Sequence, residues 1–171
     1  MNETPLEARL KACSLHSLLL VTSKVLSRSG FGDVTILDRR QSRQKSRYGG
    51  HEILTECSVG TVNVRVIVKV INDVVRLRML DELAGAVDRT NSEFGLVVSP
   101  HHVSANAARW QAQYHRSRLE VIDGPLLARL LTRHRIGIRP KGELDYAFFE
   151  ALEEQSARVL AFIARQAKGV L

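Results

Sequence analysis

The sequence predicts an α/β sandwich in which a mixed central β-sheet is flanked by helices, with an amphipathic helix at the C-terminus. Residues 62–70 place a valine at every second position, which is typical of a strand with two different faces. Residues 94–98 form a nearly continuous apolar run, as expected of a strand covered on both sides. Apolar residues recur at helical spacing in the segments before, between and after these strands.

The N-terminal half predicts one helix followed by three strands. Pro5 to Ser29 is expected to form a single helix, because its apolar residues recur every three or four positions. Val34 to Leu37 is short and β-branched, which favours a strand. His51 to Cys57 and Thr61 to Val70 predict a β-hairpin that turns at Val59-Gly60.

A two-residue turn fixes the register of this hairpin, since each step away from the turn pairs one residue from each strand. The predicted register sets Glu52 opposite Ile67 and Glu56 opposite Asn63. One face of the hairpin is apolar and is expected to lie on the core. The other face is polar and collects Glu52, Glu56, Asn63, Arg65 and Lys69.

The C-terminal half predicts an alternation of helices and strands, with helices near 74–90, 104–114 and 126–133 and strands near 93–98 and 119–122. Asn72-Asp73 is expected to cap the first of these helices. Residues 1–134 are therefore expected to form one domain. Residues 135–171 are expected to form a connector and a final helix, which packs on the domain or on the partner of a homodimer.

The apolar runs and the cysteines indicate the cellular compartment of the protein. No apolar run approaches the roughly 20 residues needed to cross a bilayer, so no membrane span is expected. Cys13 and Cys57 lack the spacing of a metal site or of a disulfide framework, and two reduced thiols are expected. These features predict a cytoplasmic protein.

The net charge of +7 predicts a surface that attracts polyanions, although charge alone does not specify which polyanion. Five basic residues lie in one short polar segment with no acid between them: Arg39, Arg40, Arg43, Lys45 and Arg47. Such a segment can neutralise several phosphates of DNA. A solvated polar loop without a ligand is the alternative.

Three short motifs follow one another in the second half of the chain: Leu83-Ala84-Gly85-Ala86-Val87, Gly95-Leu96-Val97-Val98-Ser99 and Leu119-Glu120-Val121-Ile122-Asp123-Gly124. In this order and spacing they resemble the Mrr-like restriction endonuclease domains of the PD-(D/E)xK nuclease superfamily. The resemblance covers roughly residues 16 to 133. It implies a restriction-endonuclease-like sandwich fold and an activity on foreign or modified double-stranded DNA.

The resemblance also implies a metal site, in which Mg²⁺ is held by carboxylates on two adjacent strands and a nearby lysine positions or activates water. The family pattern is an Asp on the first strand, then a Glu or Gln, one spacer and a Lys on the second. Glu52 takes the place of the Asp, and Lys69 takes the place of the lysine. Ile67 stands where the Glu or Gln belongs and offers no oxygen. Leu18 and Leu19 occupy the region where the family carries a glutamate on its first helix.

The predicted site is therefore incomplete. Glu52 and Lys69 are the predicted catalytic pair. Glu52, the main-chain carbonyl of Val68 and Glu56 are the predicted metal ligands, so weak Mg²⁺ binding is expected. The predicted DNA-binding surface consists of Arg65 and the five basic residues between 39 and 47.

Three functions remain open at this point. The first is a metal-dependent DNA endonuclease, in which another acid substitutes for the missing ligand. The second is a DNA-binding subunit that keeps the nuclease fold without catalysis, with Glu52 and Lys69 forming only a cross-strand ion pair. The third is a partner-binding or scaffold subunit that uses its last helix and does not touch DNA. Either of these subunits would belong to a larger defence or DNA-processing complex with a companion protein.

Overall fold

The computed structural model describes residues 3–32, 34–36, 50–114 and 118–168. Its strands form one five-stranded sheet in the order β1-β2-β3-β4-β5. The strands are β1 (Thr35–Ile36), β2 (His51–Val59), β3 (Val62–Val70), β4 (Phe94–Val98) and β5 (Leu119–Ile122). β1, β2 and β3 pair antiparallel, whereas β3, β4 and β5 pair parallel. The predicted mixed sheet is confirmed.

The helices lie on both sides of this sheet. They are α1 (Pro5–Lys11), α2 (Leu15–Arg28), α3 (Leu77–Thr90), α4 (Ala105–Tyr114), α5 (Gly124–His134) and α6 (Tyr146–Lys168). Each parallel crossover from β3 to β4 and from β4 to β5 contains one helix, as parallel strands require. The α/β sandwich expected from the sequence is confirmed.

The prediction of a single helix from Pro5 to Ser29 was wrong. The segment forms two helices, because Ser14 takes a non-helical backbone conformation and caps α2. Its hydroxyl accepts a hydrogen bond from the N–H of Ser17 at 3.2 Å. A serine that satisfies a free N–H at a helix start typically stabilises it by about 1 kcal/mol. The apolar spacing continues across the break, which is why periodicity alone did not reveal it.

The start of α3 also differs from the prediction. The expected cap at Asn72-Asp73 is wrong, since the helix begins at Leu77 with Arg76 as its N-cap residue. Val75 forms an isolated parallel bridge with Val103 instead. This bridge holds the residues after β3 in an extended conformation and delays the helix.

The hairpin register differs from the prediction by two residues. β2 continues to Val59, which pairs with Val62, so the turn consists of Gly60 and Thr61. Gly60 has a φ of 64°, a conformation that glycine adopts without the strain that other residues incur. Because the shift is an even number, every side chain stays on its predicted face.

Both faces of the sheet are buried. One face carries Ile53, Val66 and Val68 and packs against α1, α2, α5 and the start of α6. The other face carries Ile67 and Val97 and packs against α3 and α4. The apolar hairpin face therefore lies on a core, as expected. The polar face is also covered, because α3 packs on its β3 side.

α6 packs on the domain through its first half. Phe149 and Leu152 are buried in the same core as α1 and α2. The N–H of Ser14, at the start of α2, donates to the Glu153 carboxylate at 2.9 Å. Among the described residues, no helix combines the length and the apolar character that crossing a membrane would require.

Candidate functional site

The candidate site is centred on Glu52 and Lys69, which lie opposite each other on neighbouring strands. The two residues are direct partners in the antiparallel ladder between β2 and β3. Residues that are directly opposite in such a ladder project their side chains from the same face of the sheet. The predicted register had set Glu52 opposite Ile67, and the two-residue shift brings its acidic side chain closer to the lysine.

Lys69 is almost completely buried, with 1% of its surface exposed. A buried ammonium group is costly unless it is paired, because it loses its hydration. Its partner is Glu82 on α3, whose carboxylate accepts a hydrogen bond and forms an ion pair with the Lys69 Nζ. The Glu82 side chain is 27% exposed. The site therefore combines an acid from β2, a lysine from β3 and an acid from α3.

Glu82 is the residue that the sequence prediction missed. It lies three residues after Met79 and four before Ala86, and both of these are buried. Positions at such intervals share one side of a helix, so an acid at 82 borders the apolar stripe of α3. An acid at the border of an apolar helix face indicates that the side chain lies near the sheet. It does not indicate which strand residue the carboxylate contacts.

Glu52 differs from Glu82 in its surroundings. Its side chain is half-buried. Within the described part of the chain, no hydrogen bond or ion pair engages its carboxylate. The cross-strand ion pair that the sequence suggested as an alternative to catalysis is not formed there, since Lys69 pairs with Glu82. The Glu52 carboxylate can thus bind a metal ion without breaking a described contact.

Gly50 lets the start of β2 approach β3 closely. It has a φ of 100°. A Cβ atom at this position would lie 2.7 Å from the carbonyl oxygen of Val70 and 3.7 Å from the Cε of Lys69. Any other residue would therefore clash with the Val70 carbonyl and force the start of β2 away from the end of β3.

Ile67 provides no ligand. It is fully buried, with 0% exposure, and belongs to the core formed with α3 and α4. Its cross-strand partner is Leu54, which packs against the same core. The position where the family pattern has an acid or an amide is thus an apolar contact with the helix that carries Glu82.

The carbonyl of Val68, a predicted ligand, faces β2. Arg65 and Ile71 direct their backbone groups towards β4, since Arg65 O accepts from Glu93 N and Ile71 N donates to Val98 O. Successive residues of a strand direct these groups to opposite sides. Val68 therefore faces Ile53, its partner on β2. Metal ligation by this carbonyl stays a prediction and would use its second lone pair.

Glu56 and Arg65 form a separate pair. They are direct cross-strand partners, and Arg65 Nε lies 3.1 Å from Glu56 Oε1. Glu56 is four residues from Glu52 on β2, which corresponds to about 13 Å along a strand. As a ligand near Lys69, Glu56 is therefore less well placed than Glu82, although its role stays untested. Arg65 is half-buried at the opposite end of the hairpin face from Lys69.

The five basic residues of the predicted DNA-binding segment lie outside the described residues: Arg39, Arg40, Arg43, Lys45 and Arg47. Their predicted role is not tested by the geometry. The segment leads into Gly50 and the start of β2, so it is connected directly to the strand that carries Glu52.

A divalent metal fits the acids of this site in one specific way. The described residues contain no group of three or more His, Cys, Asp or Glu side chains that could hold an ion. Mg²⁺, however, usually keeps several waters and is bound by one or two carboxylates together with substrate phosphates. Glu52, the ladder partner of Lys69, and Glu82, which contacts the Lys69 ammonium, provide two carboxylates, the number that this smaller requirement asks for.

Comparison with known proteins assigns the chain to a family. The profile of the Mrr restriction endonuclease domain, described as "Restriction endonuclease", matches residues 10–131. The chain therefore belongs to the Mrr-type restriction endonuclease family, and the resemblance recognised in the sequence is confirmed. No match was found among curated proteins.

Two solved structures are similar to this chain. AspBHI, described as a DNA modification-dependent restriction endonuclease, aligns with a TM-score of 0.57 at 14% identity, over 91% of this chain and 41% of its own. The MspJI restriction endonuclease, solved in complex with a 27-mer oligonucleotide, aligns with a TM-score of 0.49 at 18% identity, over 81% of this chain and 32% of its own. This chain thus spans less than half the length of either enzyme.

Proposed function

We propose that this chain is a metal-dependent nuclease domain that hydrolyses phosphodiester bonds of double-stranded DNA. The observation that carries the proposal is that Glu52 lies directly opposite the buried Lys69 in the β2–β3 ladder, while the Lys69 ammonium contacts Glu82. A buried lysine paired with an acid is costly to maintain for stability alone, because apolar residues would fill the same space without desolvating charges. Membership of the restriction endonuclease family supports the same conclusion.

Each residue has a defined task in this proposal. Glu52 and Glu82 would hold Mg²⁺, which when bound stabilises the charge developing on the phosphate and lowers the pKa of a coordinated water. Lys69 has three N–H donors. In this proposal its ammonium contacts Glu82 and also orients the attacking water or a phosphate oxygen. The rigid β2–β3 ladder and α3 fix these groups before DNA arrives.

DNA is the proposed partner on electrostatic grounds. The net charge of +7 favours a polyanion, and the basic segment between 39 and 47 precedes the strand of Glu52. Replacing its five basic residues with serine should weaken binding to a duplex oligonucleotide. It should also flatten the dependence of affinity on salt, because fewer counterions are released. An unchanged salt slope would exclude this segment from the interface.

The finer parts of the function are proposals as well. Foreign or modified DNA is the proposed substrate class, and a role in defence in the cytoplasm follows from it. AspBHI is described as modification-dependent, which suggests comparing methylated and unmethylated plasmid. A companion protein, or a homodimer formed through the C-terminal helix α6, would supply further specificity.

A second candidate is a DNA-binding subunit that keeps the fold without cleavage. The apolar, fully buried Ile67 at the expected ligand position favours it. A plasmid assay with Mg²⁺ or Mn²⁺ separates the two functions. Nicking by the wild type that is lost in both Glu52→Gln and Lys69→Met supports the nuclease. Salt-dependent binding without nicking by any of the three proteins supports the binding subunit.

A further inference from the structure

We infer that Glu82 of α3 is the second carboxylate ligand of the metal site and replaces the acid that Ile67 cannot provide. This inference rests on the proposed nuclease function and specifies its site. It assigns a ligand to a helix, although the family pattern locates that group on β3.

The position of Glu82 is fixed by its helix. Leu80 and Leu83, on either side of it, are both fully buried with 0% exposure. They hold α3 against the sheet face that carries Ile67 and Lys69. The carboxylate therefore reaches the ammonium of Lys69 from a rigid element, and a preorganised ligand loses little conformational freedom when a metal binds.

The local geometry allows Glu82 to take the role of the acid that the family pattern has at position 67. Ile67 and Lys69 are two residues apart on β3, so their side chains project from the same face. An acid at 67 would have lain beside the lysine. Glu82 brings a carboxylate to the same lysine from above that face, on the helix that packs against Ile67.

Two properties distinguish Glu82 from a simple counter-ion. Its side chain is 27% exposed, whereas that of Lys69 is 1% exposed, so part of the acid reaches solvent where a hydrated metal and a phosphate must arrive. A carboxylate also has two oxygens and about four acceptor sites, so one group can contact both Lys69 and a metal. Glu52 provides a second carboxylate, on the same face of the hairpin as Lys69.

The structural role of the ion pair has to be removed before the ligand role is measured. Lys69→Met provides that background, because methionine has a similar length and leaves Glu82 without the buried charge that it neutralises. In this background Glu82→Gln no longer affects folding through Lys69. Asp81→Asn is the matched control, since Asp81 is an exposed acid one residue earlier on the same helix.

The experiment measures Mn²⁺ binding by calorimetry and by the loss of the free Mn²⁺ signal in electron paramagnetic resonance. Lys69→Met and Lys69→Met/Asp81→Asn should bind Mn²⁺ alike. Lys69→Met/Glu82→Gln should bind it roughly tenfold or more weakly, because loss of a direct ligand should exceed the effect of removing a group that only orients one. Equal binding by all three proteins would overturn the inference.

Plasmid nicking separates this inference from the proposed function. If the wild type and Glu82→Gln nick DNA equally and bind Mn²⁺ equally, the ligand assignment is wrong and the nuclease remains. If the wild type never nicks but Lys69→Met/Glu82→Gln loses the Mn²⁺ binding that Lys69→Met retains, the assignment stands without the nuclease activity. If the wild type neither binds Mn²⁺ nor nicks DNA, both are overturned.

Discussion

Lys69 and Glu82 form an ion pair that joins the end of β3 to the second turn of α3. The two residues are 13 positions apart in the chain. Because the ammonium is almost fully buried, its contact with the Glu82 carboxylate offsets part of the cost of its lost hydration. The packing of α3 on the sheet therefore also fixes the position of the proposed catalytic lysine.

Lys69→Met should abolish plasmid nicking while the protein stays folded. The substitution removes the only proposed donor to water or phosphate. It also relieves the cost of burying a charge, and Glu82 is exposed enough to be solvated. The free energy of unfolding should change by only about 1 kcal/mol. Nicking assays and urea denaturation test both parts, and nicking at the wild-type rate would remove Lys69 from the mechanism.

Glu82→Gln should destabilise the protein by up to about 3 kcal/mol in the presence of Lys69, because a buried ammonium then lacks its charged partner. Asp81→Asn should stay within about 0.5 kcal/mol, as expected of an exposed site. Urea denaturation of the two variants gives the comparison. Equal stabilities would mean that the ion pair contributes nothing beyond a neutral hydrogen bond.

Glu52→Gln should eliminate metal-dependent nicking with little effect on stability. Its carboxylate engages no partner in the described residues, so its loss breaks no described contact. Glu120→Gln, at an exposed position on β5, is the control for a general change in charge. Both variants should unfold within about 0.5 kcal/mol of the wild type. Undiminished nicking by Glu52→Gln would contradict the proposed site.

Gly50→Ala should cost more stability than Gly142→Ala. Both glycines have positive φ, at 100° and 83°, so both substitutions incur a similar backbone cost of about 1 kcal/mol. Only at Gly50 does the added Cβ meet the carbonyl oxygen of Val70, whereas nothing lies within 4 Å at Gly142. The difference in unfolding free energy therefore measures the close approach of β2 to β3. No difference would show that the strand start adjusts freely.

Stability should fall in alkaline solution because of Cys13. Burial raises the pKa of this thiol to about 11, from the ordinary value of 9.0 that applies in the unfolded chain. The unfolded state therefore loses its proton first, and the contribution that is complete below pH 9.0 is lost as the pH rises towards 11. Urea midpoints between pH 8 and pH 11 should fall less steeply in Cys13→Ala than in the wild type. An identical slope in Cys13→Ala and the wild type would exclude Cys13.

Three features could be predicted from the amino acids alone: the order of the elements after the first helix, the mixed sheet, and the face of the hairpin on which Glu52 and Lys69 lie. These features follow from apolar periodicity, which is local and which an even shift of register does not alter. The family was recognisable for the same reason, since its motifs are short runs at fixed spacing.

Which side chains contact one another at the site could not be predicted in this way, because it depends on the three-dimensional packing. The conformation of Gly60 moved the turn by one position and set Glu52 opposite Lys69 rather than Ile67. The packing of α3 on β3 then brought Glu82 to the lysine. Such a contact depends on how a helix lies across a sheet, and the spacing of residues along the chain does not encode that orientation.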